Sequence, residues 1–300
     1  MIVKVEIILY LKEEILQDVL TIFKSKNITL APPEPTLPGR VSTNVIVPVT
    51  ETFNYDTAVE IFRYLENELH IDFIAEGLHF DFSNEDYANA PFFRVWSTGN
   101  SQAMILSDKG TTYKKEIYCE NCKLIIQHQL SPLVIDTSKI RKRYMVYVQG
   151  GHWVVSKKMA ELMESWGLTG YELKEVIHKG PEKGKQQAFQ LLAKNFPYWS
   201  EKTEIYNYYT DRHKLCTSCG IKGQVIGAYH YNKKDVTDLN DDIYVMPELA
   251  HDWKYGFHRL LISKKFRDLL IAHKITKDIR GIDDPNYGPH DWGLDPILVT

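Results

Sequence analysis

The chain has 300 residues, 44% of them apolar and 12% aromatic, which supplies a real core and excludes a disordered chain. Thirty-six basic residues stand against 39 acidic ones, a formal net charge of −3, so overall charge argues against nucleic acid as a partner, a local patch aside. No apolar run approaches the roughly 18 residues of a membrane-crossing helix, and the length suits one large or two ordinary domains.

Val3 to Leu11 reads as a buried strand; its charges and the lack of a small-residue cleavage site set it apart from a signal peptide. A helix is expected from about Lys12, with Ile15, Leu16, Val19, Leu20 and Phe23 along one side. The stretch Ala31–Gly39 is dense in proline and is expected to be a loop. Val45–Val49 is strand-like. Asp56 can cap a second helix with the stripe Val59, Phe62, Leu65 and Leu69. Strands are expected near Ile71–Ile74, Leu78–Phe82 and Phe92–Trp96. Together these predict a small N-terminal α/β domain over residues 1–110, an open sheet with helices on one face.

Residues 111–300 differ in character. They hold all four cysteines, as the pairs Cys119-Glu120-Asn121-Cys122 and Cys216-Thr217-Ser218-Cys219. Each pair lies between extended segments, where a zinc knuckle belongs and a thioredoxin-like dithiol does not. A CxxC turn offers two thiolates from one tight loop, and two turns complete a closed tetrahedron, so one structural Zn²⁺ is expected on Cys119, Cys122, Cys216 and Cys219. Gly220 suits the sharp bend after the second pair, whereas Lys123 departs from it after the first. Lys123, Lys214 and Lys222 lie close in sequence and could offset the thiolate charge. The absence of an export signal and the paired thiols favour the cytoplasm.

An internal match follows. Val155–Met163 aligns with Ile262–Leu270 at an offset of 107 residues, each copy opening on a Ser that can cap a helix and returning to an extended segment. The CxxC pairs are 97 residues apart, so a duplication requires about ten inserted residues between knuckle and helix. The expected fold is therefore α+β: the small domain, then a larger zinc-stapled domain over 111–300 with a duplicated strand–knuckle–helix unit.

Other features carry less. His251-Asp252-Trp253 recurs as His290-Asp291-Trp292, and Gly180–Lys185 resembles a phosphate loop in composition only, reading as a solvated turn. Asp235–Asp242 is acidic, either a solvated loop or a face that steers a basic partner. Tyr206, Tyr208 and Tyr209 suit an interface or a half-buried sheet.

The two CxxC motifs and the segment from Trp153 to Leu173, with its Ser-led helix, resemble the double-CxxCG-motif immunity proteins of bacterial polymorphic toxin systems. The resemblance covers roughly residues 114–285. It implies a cytoplasmic, non-enzymatic protein that neutralises a cognate toxin by binding it, with the four cysteines as metal ligands and no catalytic residue. Two other readings remain: an enzyme of antiviral defence or nucleotide metabolism, gathering residues such as His152, His251 and Asp252, and a zinc-ribbon nucleic-acid binder, which the charge balance disfavours.

Overall fold

The computed structural model describes residues 2–48, 60–61, 64–65, 67–68, 73–97, 105–121, 123–148, 151–203, 205–206, 218, 224–225, 229–246, 259–275 and 292–300. The chain is mixed α+β and divides into two compact units, 1–83 and 84–300. Among the described residues no helix is long and apolar enough to cross a membrane.

In the first unit, β1 (Ile2–Lys12) pairs antiparallel with β3 (Arg40–Pro48) on one side and β4 (Phe73–Asp81) on the other. The short β2 (Glu34–Leu37) adds to β3, giving the order β2-β3-β1-β4. Among the described residues every pairing in this unit is antiparallel, where the alternation of elements suggested an α/β sheet. Helix α1 (Leu16–Ser25) buries Val19 and Phe23 from its predicted stripe. It ends in a Schellman turn: Asn27 takes φ 58° and the Ile28 N–H reaches back to the Phe23 carbonyl. The proline-rich stretch is not all loop. Its strand β2 is an exposed edge, where Pro35 costs no ladder bond on the solvent side. The two strands expected near residues 71–82 are one strand, β4, running through Gly77. Of the expected second helix, residues 60–61, 64–65 and 67 are helical, with Ile61 and Leu65 buried; Asp56, Val59, Phe62 and Leu69 lie outside the described residues.

The second unit begins well before residue 111, because residues 92–97 belong to its sheet. Its first half holds α2 (Asn84–Asn89), β5 (Phe92–Ser97), β6 (Ile105–Leu106), the hairpin β7 (Tyr113–Cys119) and β8 (Leu124–Gln129), and β9 (Val134–Ile135). It continues through a one-turn 3-10 helix (Thr137–Lys139) to β10 (Met145–Val148), β11 (His152–Ser156), α3 (Lys157–Ser165), β12 (Tyr171–Glu175) and β13 (Ile177–His178). The second half holds β14 (Ala188–Asn195), β15 (Ile205–Tyr206), β16 (Gln224–Val225), β17 (His230–Tyr231) and α4 (Lys233–Val236). It closes with β18 (Ile243–Val245), β19 (Leu260–Ser263), α5 (Lys264–Ala272), β20 (Trp292–Pro296) and β21 (Leu298–Val299).

One curled nine-stranded sheet runs β20-β5-β19-β18-β14-β11-β10-β6 among the described residues, with β12 also on β14. Its two ends have the same register. In one, Val154 and Lys174 flank Gln190 of β14; in the other, Leu261 and Asp295 flank Arg94 of β5. The far end of β14 turns parallel to β18, and β6, which follows β5, lies parallel to β10. Each half's leading strand therefore starts in the other half's ladder and finishes beside its own half's strand. The small parallel pairs match too: Ile177 faces Val134, and Leu298 faces His230.

The helices repeat the pattern. Ser156 caps α3 by accepting from the Met159 N–H at 3.3 Å, and Ser263 caps α5 by accepting from the Phe266 N–H at 3.2 Å. Both helices close with Schellman turns, through Gly167 (φ 59°) with Leu168 on the Met163 carbonyl, and through Lys274 (φ 54°) with Ile275 on the Leu270 carbonyl. The cores agree position by position. One is aliphatic: Leu133, Ile135, Ile140, Val146, Val148, Val154, Val176 and Ala188. The corresponding positions of the other hold Tyr229, Tyr231, Val236, Tyr244, Met246, Leu261, Ile297 and Phe92, with Phe196 added edge-on to Phe92, Tyr231 and Tyr244. The sequence match at an offset of 107 is the visible tip of this correspondence. Connections of unequal length hide the rest: three residues join β10 to β11, and fourteen join β18 to β19.

A left-handed backbone costs a side-chain-bearing residue about 1–2 kcal/mol and glycine almost nothing. Lys274→Gly should therefore raise stability by about 1 kcal/mol, and Gly167→Ala should lower it by a similar amount. Chemical denaturation of the two variants checks this; equal signs would contradict the assignment of one turn geometry to both sites.

Candidate metal centre

The first CxxC pair begins at the tip of the β7–β8 hairpin. Cys119 is the last residue of β7, set opposite Leu124 after a register irregularity, and it is buried in a strand whose preceding residues are mostly exposed. Glu120 and Asn121 form the turn. Lys123 then takes φ 54°, the left-handed conformation expected of the glycine that closes such a loop. Lys123 holds that conformation at an energetic cost that a glycine would not incur. The Lys123 ammonium lies on the Glu120 carboxylate at the exposed rim, where it forms an ion pair. Cys122, Cys216 and Cys219, with Lys214, Gly220 and Lys222, lie outside the described residues; Ser218, inside the second pair, is an exposed turn residue. Among the described residues no three His, Cys, Asp or Glu side chains cluster as a metal requires.

A chain of polar side chains ties this hairpin to the large sheet. Among the described residues β7 and β8 pair only with each other, so side chains supply the anchorage. Gln129, at the end of β8, and buried Gln190 of β14 exchange amide bonds: Gln190 Nε2 donates to Gln129 Oε1 at 2.7 Å, and Gln129 Nε2 donates back at 3.1 Å. Gln190 Nε2 also donates to His152 Nδ1 at 3.1 Å. With Nδ1 accepting, His152 Nε2 carries the ring proton and donates to Tyr113 Oη at 2.8 Å. Tyr113 in turn donates to Asp108 Oδ2 at 2.6 Å, and the Tyr113 and His152 rings stack at 5.8 Å.

Asp108 closes the chain. It also accepts from the N–H groups of Gly110 and Thr111 at 2.9 and 2.8 Å. Burial pushes its carboxyl upward, but the bonds from Tyr113, Thr111 and Gly110 outweigh that and hold it below the usual carboxylate range. Burial, with the Asp108 carboxylate beside it, pushes the Tyr113 phenol well above its ordinary value. Sequence reasoning missed this network apart from His152. Its one signal was Gln190, a polar residue within the otherwise apolar run Ala188–Ala193.

The other expected features divide. His251-Asp252-Trp253, His290-Asp291-Trp292, Tyr208 and Tyr209 lie outside the described residues. Gly180–Lys185 is an exposed turn, as expected. Half of the acidic tract is engaged inside the fold. Buried Asp242 accepts from Ser263 Oγ at 2.6 Å and from the Thr169 N–H at 3.0 Å, with Lys265 at 3.6 Å, and Asp241 pairs with Lys194 at 3.0 Å. An open cleft of about 510 Å³ lies at that ion pair, lined by Tyr171, Glu172, Leu192 and Lys194 among others. No family model, curated protein or solved structure matches the chain.

The Asp108 carboxyl is depressed in the folded state relative to about 3.9 unfolded, so its stabilisation is full above about pH 4 and is lost as pH falls through the folded value. The stability gap between wild type and Asp108→Asn should therefore close as pH drops below about 4. A gap that stays constant in acid would remove Asp108 from the anchorage.

Proposed function

We propose that the chain is a binding protein of the immunity type, acting in the cytoplasm to neutralise a cognate bacterial toxin by direct association, with one structural zinc. The observation that carries this reading is the turn at Cys119–Lys123. A buried thiol there precedes a backbone that bends as a glycine would, at a motif whose double occurrence defines the resemblance.

The duplicated unit supports the reading further. Residues 92–178 and 188–299 agree in ladder register, helix caps, Schellman turns and core positions. We take them as two copies that have exchanged leading strands. Cys216 and Cys219 follow Cys119 and Cys122 by 97 residues, close to the 96 that separate Leu133 from Tyr229, so the two pairs would be corresponding motifs of the two copies, with Gly220 answering to Lys123. Cys119, Cys122, Cys216 and Cys219 would hold the ion, which supplies a thiolate cross-link and hence folding energy. The polar network from Asp108 to Gln129 would then hold the first knuckle against the sheet. Affinity for the toxin would rest on a few buried anchors and complementary charges, not on area.

Co-expression with the product of the neighbouring reading frame tests the reading. A toxic neighbour that co-purifies and is silenced by this chain is expected. A harmless neighbour that does not co-purify contradicts it. Cys216→Ser should also lower the melting temperature markedly, because a closed metal site contributes to folding; an unchanged melting curve would remove the structural zinc.

A further inference from the structure

Two turns of the first half form a predominantly basic face. The end of the 3-10 helix and the turn after it carry Lys139, Arg141 and Lys142, and the turn after β13 carries Lys179, Lys183 and Lys185, all exposed. The turns are packed together. Gln186 Nε2 donates to the Thr137 and Arg141 carbonyls at 3.2 and 3.0 Å, and a Cβ on Gly180 would stand 2.5 Å from the Asp136 carboxylate. Lys185 pairs with Glu182; Lys139, Arg141, Lys142 and Lys183 form no ion pair among the described residues. A chain with net charge −3 therefore concentrates positive charge on one rigid surface.

The fold does not require those charges. The corresponding turn of the second half has Asp235, Thr237 and Asp238 where the first has Lys139, Arg141 and Lys142. Both versions bury the same apolar position, Ile140 in one and Val236 in the other. Arg141 is also held at φ 55°, a strained conformation for a side chain with so little packing.

We propose that this face docks an acidic surface of a protein partner, which, on the immunity reading, is the toxin. Two observations favour protein over nucleic acid. Ile177 is 50% exposed on β13, two residues before Lys179, giving an apolar anchor beside the charges. The ring of Tyr144 nearby lies under the Lys158 ammonium at 4.6 Å, so it offers no stacking platform for a base.

The test uses the full chain with poly-L-glutamate as an acidic polypeptide and a short DNA duplex as the rival polyanion, at about 50 mM salt. Poly-L-glutamate binding is expected, weakened about tenfold by Lys142→Glu with Lys183→Glu and unaffected by Lys233→Glu with Lys234→Glu on the corresponding turn. Arg141→Gly should weaken binding while leaving the melting temperature equal or higher, which separates lost charge from lost fold. Affinity unchanged by the double reversal, no binding to poly-L-glutamate, or tighter patch-dependent binding to the duplex would each overturn the proposal. Because the probe is not the toxin, the result decides the face whether or not the immunity reading holds.

Discussion

β14 belongs to neither half of residues 84–300 alone. Its first residues bond to β11 and β12, and its last two turn parallel to β18, so one eight-residue strand carries backbone hydrogen bonds for both halves. β5 and β6 do the reciprocal work, bonding to β19 and β20 and then to β10. Removing either leading strand would expose the edges of both ladders at once, and an uncovered ladder leaves a row of unpaired N–H and C=O groups. The β7–β8 hairpin, which ends β7 on Cys119, hangs from this framework by the Gln129–Gln190 and Tyr113–His152 contacts.

The same positions are filled by different chemistry in the two halves. Where one core has Ala188, Val146 and Ile135, the other has Phe92, Tyr244 and Tyr231. Close packing demands that added volume find added space, and Phe196 shows how the aromatic core resolves it, with edge-on ring pairs at 4.9 to 5.2 Å. The polar positions diverge as well. Gln190 and His152 build the neutral chain to Asp108, whereas the matching Arg94 pairs with Asp295 and stacks over Tyr229, which also accepts from Arg259, the counterpart of His152. One framework thus supports an amide–imidazole network in one half and a guanidinium cluster in the other. The surface turns follow suit, basic in the first half and acidic in the second.

Local signals were legible in the sequence. The β1 run, the Val19–Phe23 stripe, the serine caps of α3 and α5 and the strands flanking Cys119 depend on neighbours in the chain, and all appear where the periodicity and the cap residues put them. Long-range pairing was not legible. Phe92–Trp96 reads correctly as a strand, but nothing in those residues says that Val95 faces Leu260 and Leu294, which is why the boundary was expected near 110 and lies at 83. The correspondence between the halves was legible only where no insertion intervenes, from β11 to the end of α3. Pro35 misled because proline excludes a central strand and not an exposed edge. Of the candidate site, Cys119 and its turn were legible, and Asp108, Tyr113, Gln129 and Gln190 were not, because each is polar for reasons set by residues far away in sequence.

The sharing of β14, and of β5 with β6, between the two halves makes a demand on cooperativity. If β14 and β5 each serve both halves, then neither half can open alone. Native-state hydrogen exchange on Val154→Ala, a truncation confined to the aliphatic core, reads this directly. Protection should fall by the same free energy in β10 and β11 and in the distant β5 and β19. Lost protection in β10 and β11 with β5 and β19 unchanged would mean two independent halves, and would contradict the account of one body built from two exchanged copies.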